Sequence, residues 1–236
     1  DRWTPEEAHD SANGGWWEID EANINPLMAG AIGNGQLGSS AANDTIAVQR
    51  LLSYFKATRP ALRQRDNQRR LDLLGRQYRV AASLNLEGCD GLEIRNGTLI
   101  VDPSTPFATN RAILEHDVSG ISLWGVVFRD VTLQCNHVAN GCNIQRCGEV
   151  HFDNLSIYGW ARREFGLRIG PVGWSSDVEI RNPRISGWAT EYADNPVFGR
   201  TGVGVDMQSA DTYIIGGYVD TGKKNIVIHS SGSVFN

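Results

Sequence analysis

Leu92-Glu-Ile-Arg-Asn-Gly-Thr-Leu99 is an octet whose pattern the chain writes again further on. It returns as Ile121-Ser-Leu-Trp-Gly-Val-Val-Phe128, Val150-His-Phe-Asp-Asn-Leu-Ser-Ile157 and Val178-Glu-Ile-Arg-Asn-Pro-Arg-Ile185, and less regularly as Thr212-Tyr-Ile-Ile-Gly-Gly-Tyr-Val219. Positions 1, 3 and 8 are apolar, Thr212 excepted, and position 5 is Asn or Gly. The first four starts are spaced 121 − 92 = 29, 150 − 121 = 29 and 178 − 150 = 28 residues, and the last step is 212 − 178 = 34.

Positions 1 and 3 fall on one face of a strand. An Asn or Gly at position 5 accepts the left-handed backbone of a sharp bend. Position 8 then starts a second strand with its apolar residue turned inward. A third short strand precedes each octet: Ala112-Ile113-Leu114, Cys142-Asn143-Ile144, Gly166-Leu167-Arg168-Ile169 and Val203-Gly204-Val205. Three short strands in about 28 residues, repeated, make one coil of a stack whose neighbours bury a common core. The expected fold is all-β, a parallel β-helix. A β-sandwich has short strands too, but not a near-constant period with the bend at one phase. The 26 glycines among 236 residues fit a chain with several bends per coil.

Outward from the repeat, Leu71-Asp72-Leu73 and Tyr78-Arg79-Val80 alternate as strands do, with Gly75 as the turn between them. Before them, Asn43-Asp44-Thr45 offers N-cap oxygens to a helix at about 45–57. That helix carries Ile46, Ala47, Val48, Leu51, Leu52, Tyr54 and Phe55 on one broad face, and Pro60 closes it. Residues 1–24 are acidic and rich in Trp (Trp3, Trp16, Trp17) and read as an arm or attachment segment. The expected organisation is this arm, a capping region over 25–83, and coils over 84–236 that continue past the last residue. Cys89, Cys135, Cys142 and Cys147 lack metal-ligand spacing and read as small buried residues, with a disulfide left open. The net charge of −5 argues against a nucleic-acid partner, and no apolar run approaches the ~20 residues of a membrane helix.

Ala29-Gly30-Ala31-Ile32-Gly33-Asn34-Gly35, then Asn43-Asp44-Thr45-Ile46-Ala47-Val48-Gln49, resembles the opening of the pectate-lyase-like superfamily, to which many bacteriophage tailspikes and capsule depolymerases belong. The departures are Asn34 inside the glycine pair, Asn43 before Asp44, and a short insertion over Gln36–Ala42. The resemblance covers about residues 26–228. It implies a right-handed, single-stranded parallel β-helix capped by the helix at 45–57. It further implies a homotrimeric virion protein, assembled in the host cytoplasm and joined to other virion proteins through the N-terminal segment. Its ligand would be a bacterial surface polysaccharide, capsule or O-antigen, which such proteins bind and often cleave as hydrolases or lyases. Two alternatives stand beside this reading. One is a non-catalytic structural or receptor-binding spike. The other is a secreted polysaccharide lyase, which predicts a signal peptide upstream of Asp1.

Glycan hydrolysis calls for two carboxylates at the scissile bond. Two loops suggest them: Gly159-Trp160-Ala161-Arg162-Arg163-Glu164 and Gly187-Trp188-Ala189-Thr190-Glu191-Tyr192-Ala193-Asp194, with the Gly-Trp-Ala triplets 187 − 159 = 28 residues apart. Glu164, Glu191 and Asp194 are the candidate catalytic residues. Trp160, Trp188 and Tyr192 are candidate glycan-binding residues, since a pyranose face stacks on an aromatic ring. The competing reading is a Trp ladder covering the coil corner, with Glu191 paired to Arg162 or Arg163. The outward positions of the repeat form two columns, Glu93, Ser122, His151, Glu179 and Arg95, Trp124, Asp153, Arg181. A groove along Trp124 and Asp153 is a further candidate. A Ser122–His151–Glu179 nucleophile triad is rejected, for there is no nucleophile elbow. Asp206, Asp211 and Asp220 read as solvated turn residues. No cofactor or metal is expected.

Overall fold

The computed structural model describes residues 24–38, 43–58, 69–116, 122–160, 163–170, 175–187, 202–209, 211–220, 223–229 and 234–235. Among the described residues the protein is mostly β, with one α-helix, and every strand pairing is parallel. A six-stranded sheet runs through Leu84–Asn85, Ala112–His116, Asn140–Ile144, Phe165–Ile169, Val203–Met207 and Lys224–Ile228. A twelve-stranded sheet carries the rest and is folded into two legs. In each pass the chain lays down one strand of the small sheet, then a first leg, a bend and a second leg. Asn140–Ile144, Cys147–Asp153 and Ser156–Tyr158 are one pass, and Phe165–Ile169, Ser176–Arg181 and Arg184–Ser186 are the next.

Stacking the passes aligns inward side chains into columns. Leu71, Ile94, Phe128, Phe152, Ile180 and Ile214 are register partners along the first leg, and all are buried. The Phe128 and Phe152 rings stack with centroids 5.0 Å apart and planes within 8°. Two residues after each of the last five stands the bend, Asn96, Asp130, Asn154, Asn182 and Gly216, every one at positive φ between 48° and 68°. A short polar side chain or none suits this backbone, because Cβ crowds the following carbonyl there. Neighbouring bends are also tied: Asn154 Nδ2 donates to Asp130 Oδ1 at 2.9 Å.

This register corrects the second octet. Ile94 pairs with Phe128 (128 − 94 = 34) and Phe128 with Phe152 (152 − 128 = 24). The pass therefore reads Val126-Val-Phe-Arg-Asp-Val-Thr-Leu133, not Ile121 to Phe128. The even spacing of 29 averaged a long pass and a short one. Parallel pairing also begins ahead of residue 84, since Arg69–Asp72 and Gln77–Val80 already pair with Leu92–Val101.

The helix spans Thr45–Ala57 and buries Ala47, Val48, Leu51, Leu52, Tyr54 and Phe55. Ile46 departs from the expected face and is 63% exposed. The capping chemistry differs too. Asn43 Oδ1, not Asp44, accepts from Thr45 N at 3.0 Å. The buried Asp44 carboxylate instead accepts the amides of Ile32 at 2.7 Å, Arg79 at 3.2 Å and Gly33 at 3.3 Å. It pins the opening loop to the first strands. Gly33 and Gly35 are needed there: both have φ +63°, and a Cβ would press into Tyr78 and Gln77 respectively.

A buried ion pair secures the same end. Arg79 Nε lies 3.1 Å from Asp102 Oδ2, with both side chains almost fully covered. Burial alone would push the Asp102 carboxyl up. The Ser104 hydroxyl, the Gly38 and Ser104 amides and Arg79 outweigh it and hold it down at about 2. All four cysteines are free and buried, and burial raises their thiols, those of Cys89 and Cys147 to about 12. At the far end of the small sheet, Ile226 and Ile228 stand in line with buried Val205 and Met207 yet are each 38% exposed.

Two outcomes follow. Asn154→Ala loses about 1 kcal/mol in denaturant unfolding while Asn154→Gly stays near the parent, because alanine keeps the left-handed Cβ crowding without the polar side chain that offsets it, and glycine has no Cβ. Asp102→Asn loses about 3 kcal/mol at neutral pH, since the buried Arg79 charge loses its carboxylate. The folded Asp102 value lies below the unfolded ~3.9, so its contribution is full above pH ~4 and fades as pH falls toward 2. Unfolding curves of the parent and Asp102→Asn should converge over that window.

Candidate functional site

The first leg presents two outward columns. One runs Arg70, Glu93, Val127, His151, Glu179 and Tyr213, the other Asp72, Arg95, Arg129, Asp153, Arg181 and Ile215. Val127 and Arg129 therefore occupy the places expected for Ser122 and Trp124. Trp124 belongs instead to the short strand Leu123–Trp124, pairs with Gly148 and lays its indole over that glycine. No Trp124–Asp153 column exists, and Ser122 is not stacked on His151.

These columns are cross-linked by charge. Glu93 is buried between Arg70 at 3.1 Å and Arg129 at 3.0 Å. Arg129 also reaches Asp153 at 3.3 Å, and Arg95 holds Asp72 at 2.8 Å. Glu179 takes Arg181 at 2.7 Å and His151 at 3.1 Å. The Arg181 hydrogen bond, helped by His151, holds the Glu179 carboxyl below its ordinary value. A carboxylate so held is the opposite of a general acid, which must carry a proton at working pH. This face is a ladder of ion pairs.

The Gly-Trp-Ala loop departs from expectation as well. Trp160 is fully buried. Its indole lies against the backbones of Gly166, Gly202 and Gly204, where a Cβ would crowd the ring. It is a core residue with no ring face open to a sugar. Trp188, Glu191, Tyr192 and Asp194 fall outside the described residues. Arg163 donates to the carbonyls of Phe107 at 2.8 Å and Ala108 at 2.6 Å.

Glu164 stands in a second polar cluster. Buried Asn140 fixes its backbone: Asn140 Oδ1 accepts from Glu164 N at 2.9 Å and Phe165 N at 3.1 Å, while Nδ2 donates to Thr109 O and Arg111 O. The Glu164 carboxylate lies 3.4 Å from Arg168 Nη1. Arg168 Nε donates to Asp206 Oδ2 at 2.9 Å, and His229 Nε2 lies 2.7 Å from Asp206 Oδ1. The strand register dictates this meeting, since Arg168 pairs with Asp206. The guanidinium also covers the Phe165 ring, 4.0 Å from its centroid. Glu164 thus survives as a site candidate. Arg168, Asp206 and His229 were not foreseen, and Asp206 lies on a strand, not in a turn. Two carboxylates on one guanidinium, with an imidazole behind, offer acceptors and donors together to a polyhydroxylated ligand.

The architecture has counterparts among solved structures. PfbA, a surface adhesin of Streptococcus pneumoniae, superposes with a TM-score of 0.53 at 12% identity, over 87% of this chain and 56% of its own. A second structure of that adhesin gives 0.51 at 12%, over 90% and 61%. A "putative glycosyl hydrolase" from Parabacteroides merdae ATCC 43184 gives 0.54 at 12%, over 90% and 95%. The chain thus spans about three-fifths of the adhesin's length, and the likeness is one of fold. No protein-family model matches the chain, and no curated protein matches it.

Arg168→Lys keeps the charge but loses the planar fork and its stack on Phe165. It should lower stability in urea unfolding by about 1 kcal/mol.

Proposed function

We propose that the chain is a right-handed parallel β-helix that binds a bacterial surface polysaccharide on its outer face. The observation that carries this reading is the half-open cluster in which Arg168 holds both Glu164 and Asp206. Carbohydrate hydroxyls are recognised by such fixed, charged hydrogen-bonding groups. The all-parallel passes support the β-helix, as does the fold likeness to an adhesin and to a protein described as a glycosyl hydrolase. The opening motif supports the finer reading, a homotrimeric phage tailspike carried on the virion. Both described carboxylates are ion-paired, which favours binding over cleavage at this cluster. Cleavage is the second reading, favoured by Glu164 beside an open polar cluster, with Glu191 and Asp194 as its partners.

Calorimetric titration against a panel of purified capsular and O-antigen polysaccharides tests the proposal. At least one should bind, and Arg168→Ala and Asp206→Asn should each weaken it about tenfold, as loss of a charge-assisted hydrogen bond does. No binding across the panel overturns it. Polymer sizing with the Glu164→Gln, Glu191→Gln, Asp194→Asn triple variant separates the two readings: cleavage by the parent and not by the variant supports the second.

A further inference from the structure

Charge is divided unevenly along the chain. Residues 1–24 carry one Arg against seven Asp and Glu, 1 − 7 = −6. Residues 25–83 carry nine Arg and Lys against three Asp, 9 − 3 = +6. Two arginines of this cap, Arg50 and Arg76, are exposed, and neither holds a carboxylate among the described residues. An apolar group stands at the same end: Ile32 is 52% exposed, Leu74 44% and Ile46 63%. The opening loop gathers them. Asp44, two residues before Ile46, accepts the Ile32 amide. Asn34 bridges Gln77, which sets Ile32 level with Gly75 and next to Leu74. Leu74 is strained there. It turns at φ +55° and is the one bulky apolar side chain at positive φ among the described residues, whereas the bends of later passes use Asn, Asp or Gly. A leucine at such a backbone points to a use for its side chain.

The acidic segment is rooted beside this face. Ile24 is buried, and its carbonyl accepts from Asp72 N at 3.0 Å, two residues before Leu74. Trp17 lies seven residues from Ile24, a tether of at most about 24 Å. Trp16 and Trp17 are therefore within reach of Ile32, Leu74 and Ile46. Two indoles supply the large apolar area that such a group can bury. Glu18, Asp20 and Glu21 fall between the indoles and the root, within the same reach of Arg76. The sign of the field selects the place as well. A segment of −6 is drawn to a cap of +6 and repelled by the coils, which carry the remaining −5.

We propose that residues 1–23 fold back on their own cap, with Trp16 and Trp17 on Ile32, Leu74 and Ile46 and the acidic side chains beside Arg50 and Arg76. The occupant of this face is the chain's own arm, and the inference is independent of the carbohydrate reading. A partner approaching that end must displace the arm. Hydrogen exchange of the full chain, read by mass spectrometry, tests it. Amides of residues 14–21 should exchange about tenfold more slowly than in an unfolded chain, at every protein concentration. Leu74→Asn should remove that protection while the strand amides of the coils stay protected, because Asn suits the left-handed backbone. Arg76→Glu, and separately about 0.5 M salt, should each reduce it severalfold. Tyr213→Ser, at the far end of the stack, should leave it unchanged. No protection in the parent overturns the proposal, as does protection that survives both Leu74→Asn and Arg76→Glu. Protection that grows with protein concentration overturns it in favour of a second copy on this face. An equal loss in Tyr213→Ser overturns it too.

Discussion

Parallel register is the constraint on which the rest depends. Once Ile94, Phe128, Phe152, Ile180 and Ile214 stack as one inward column, every other position in each pass is assigned a face. The bend must then fall two residues later, where only Asn, Asp or Gly occurs. The outward positions on either side are forced into columns of their own. Charges in those columns sit ~4.8 Å from their neighbours, so the sequence must alternate sign or leave like charges face to face. Glu93 between Arg70 and Arg129, and Glu179 between His151 and Arg181, are the result.

That constraint explains what could be read from the sequence. Four of the five octets carry the right phase, because apolar, polar, apolar, then Asn or Gly two residues on, is what a first leg and its bend require. The second, Ile121 to Phe128, is out of phase by five residues. Leu123-Trp124-Gly125 imitates the pattern, and Asp130 takes the left-handed backbone in place of the expected Asn or Gly. Even spacing then hid the error, since passes of 34 and 24 residues average to the period seen elsewhere. Nothing in the physics holds pass length constant. The legs must match in register, whereas the connections between them may be any length that reaches.

The site was legible only in part for the same reason. Glu164 stands out as a loop glutamate beside a Trp. Its partner Arg168 is close in sequence, but Asp206 becomes a neighbour only through strand pairing across 38 residues. Trp160 was misjudged because Gly-Trp-Ala says nothing about what lies opposite. Its burial depends on glycines contributed by the two following passes.

The glycine cradle around Trp160 has a further implication. The ring rests on Gly166 from the pass that follows it and on Gly202 and Gly204 from the pass after that. In a stack whose stability comes from contacts between neighbours, this indole loses water only when three consecutive passes have closed on one another. Trp160 is thus a built-in optical gauge of assembly at the middle of the stack. Its emission reports whether the passes have docked, independently of whether each has formed its own strands.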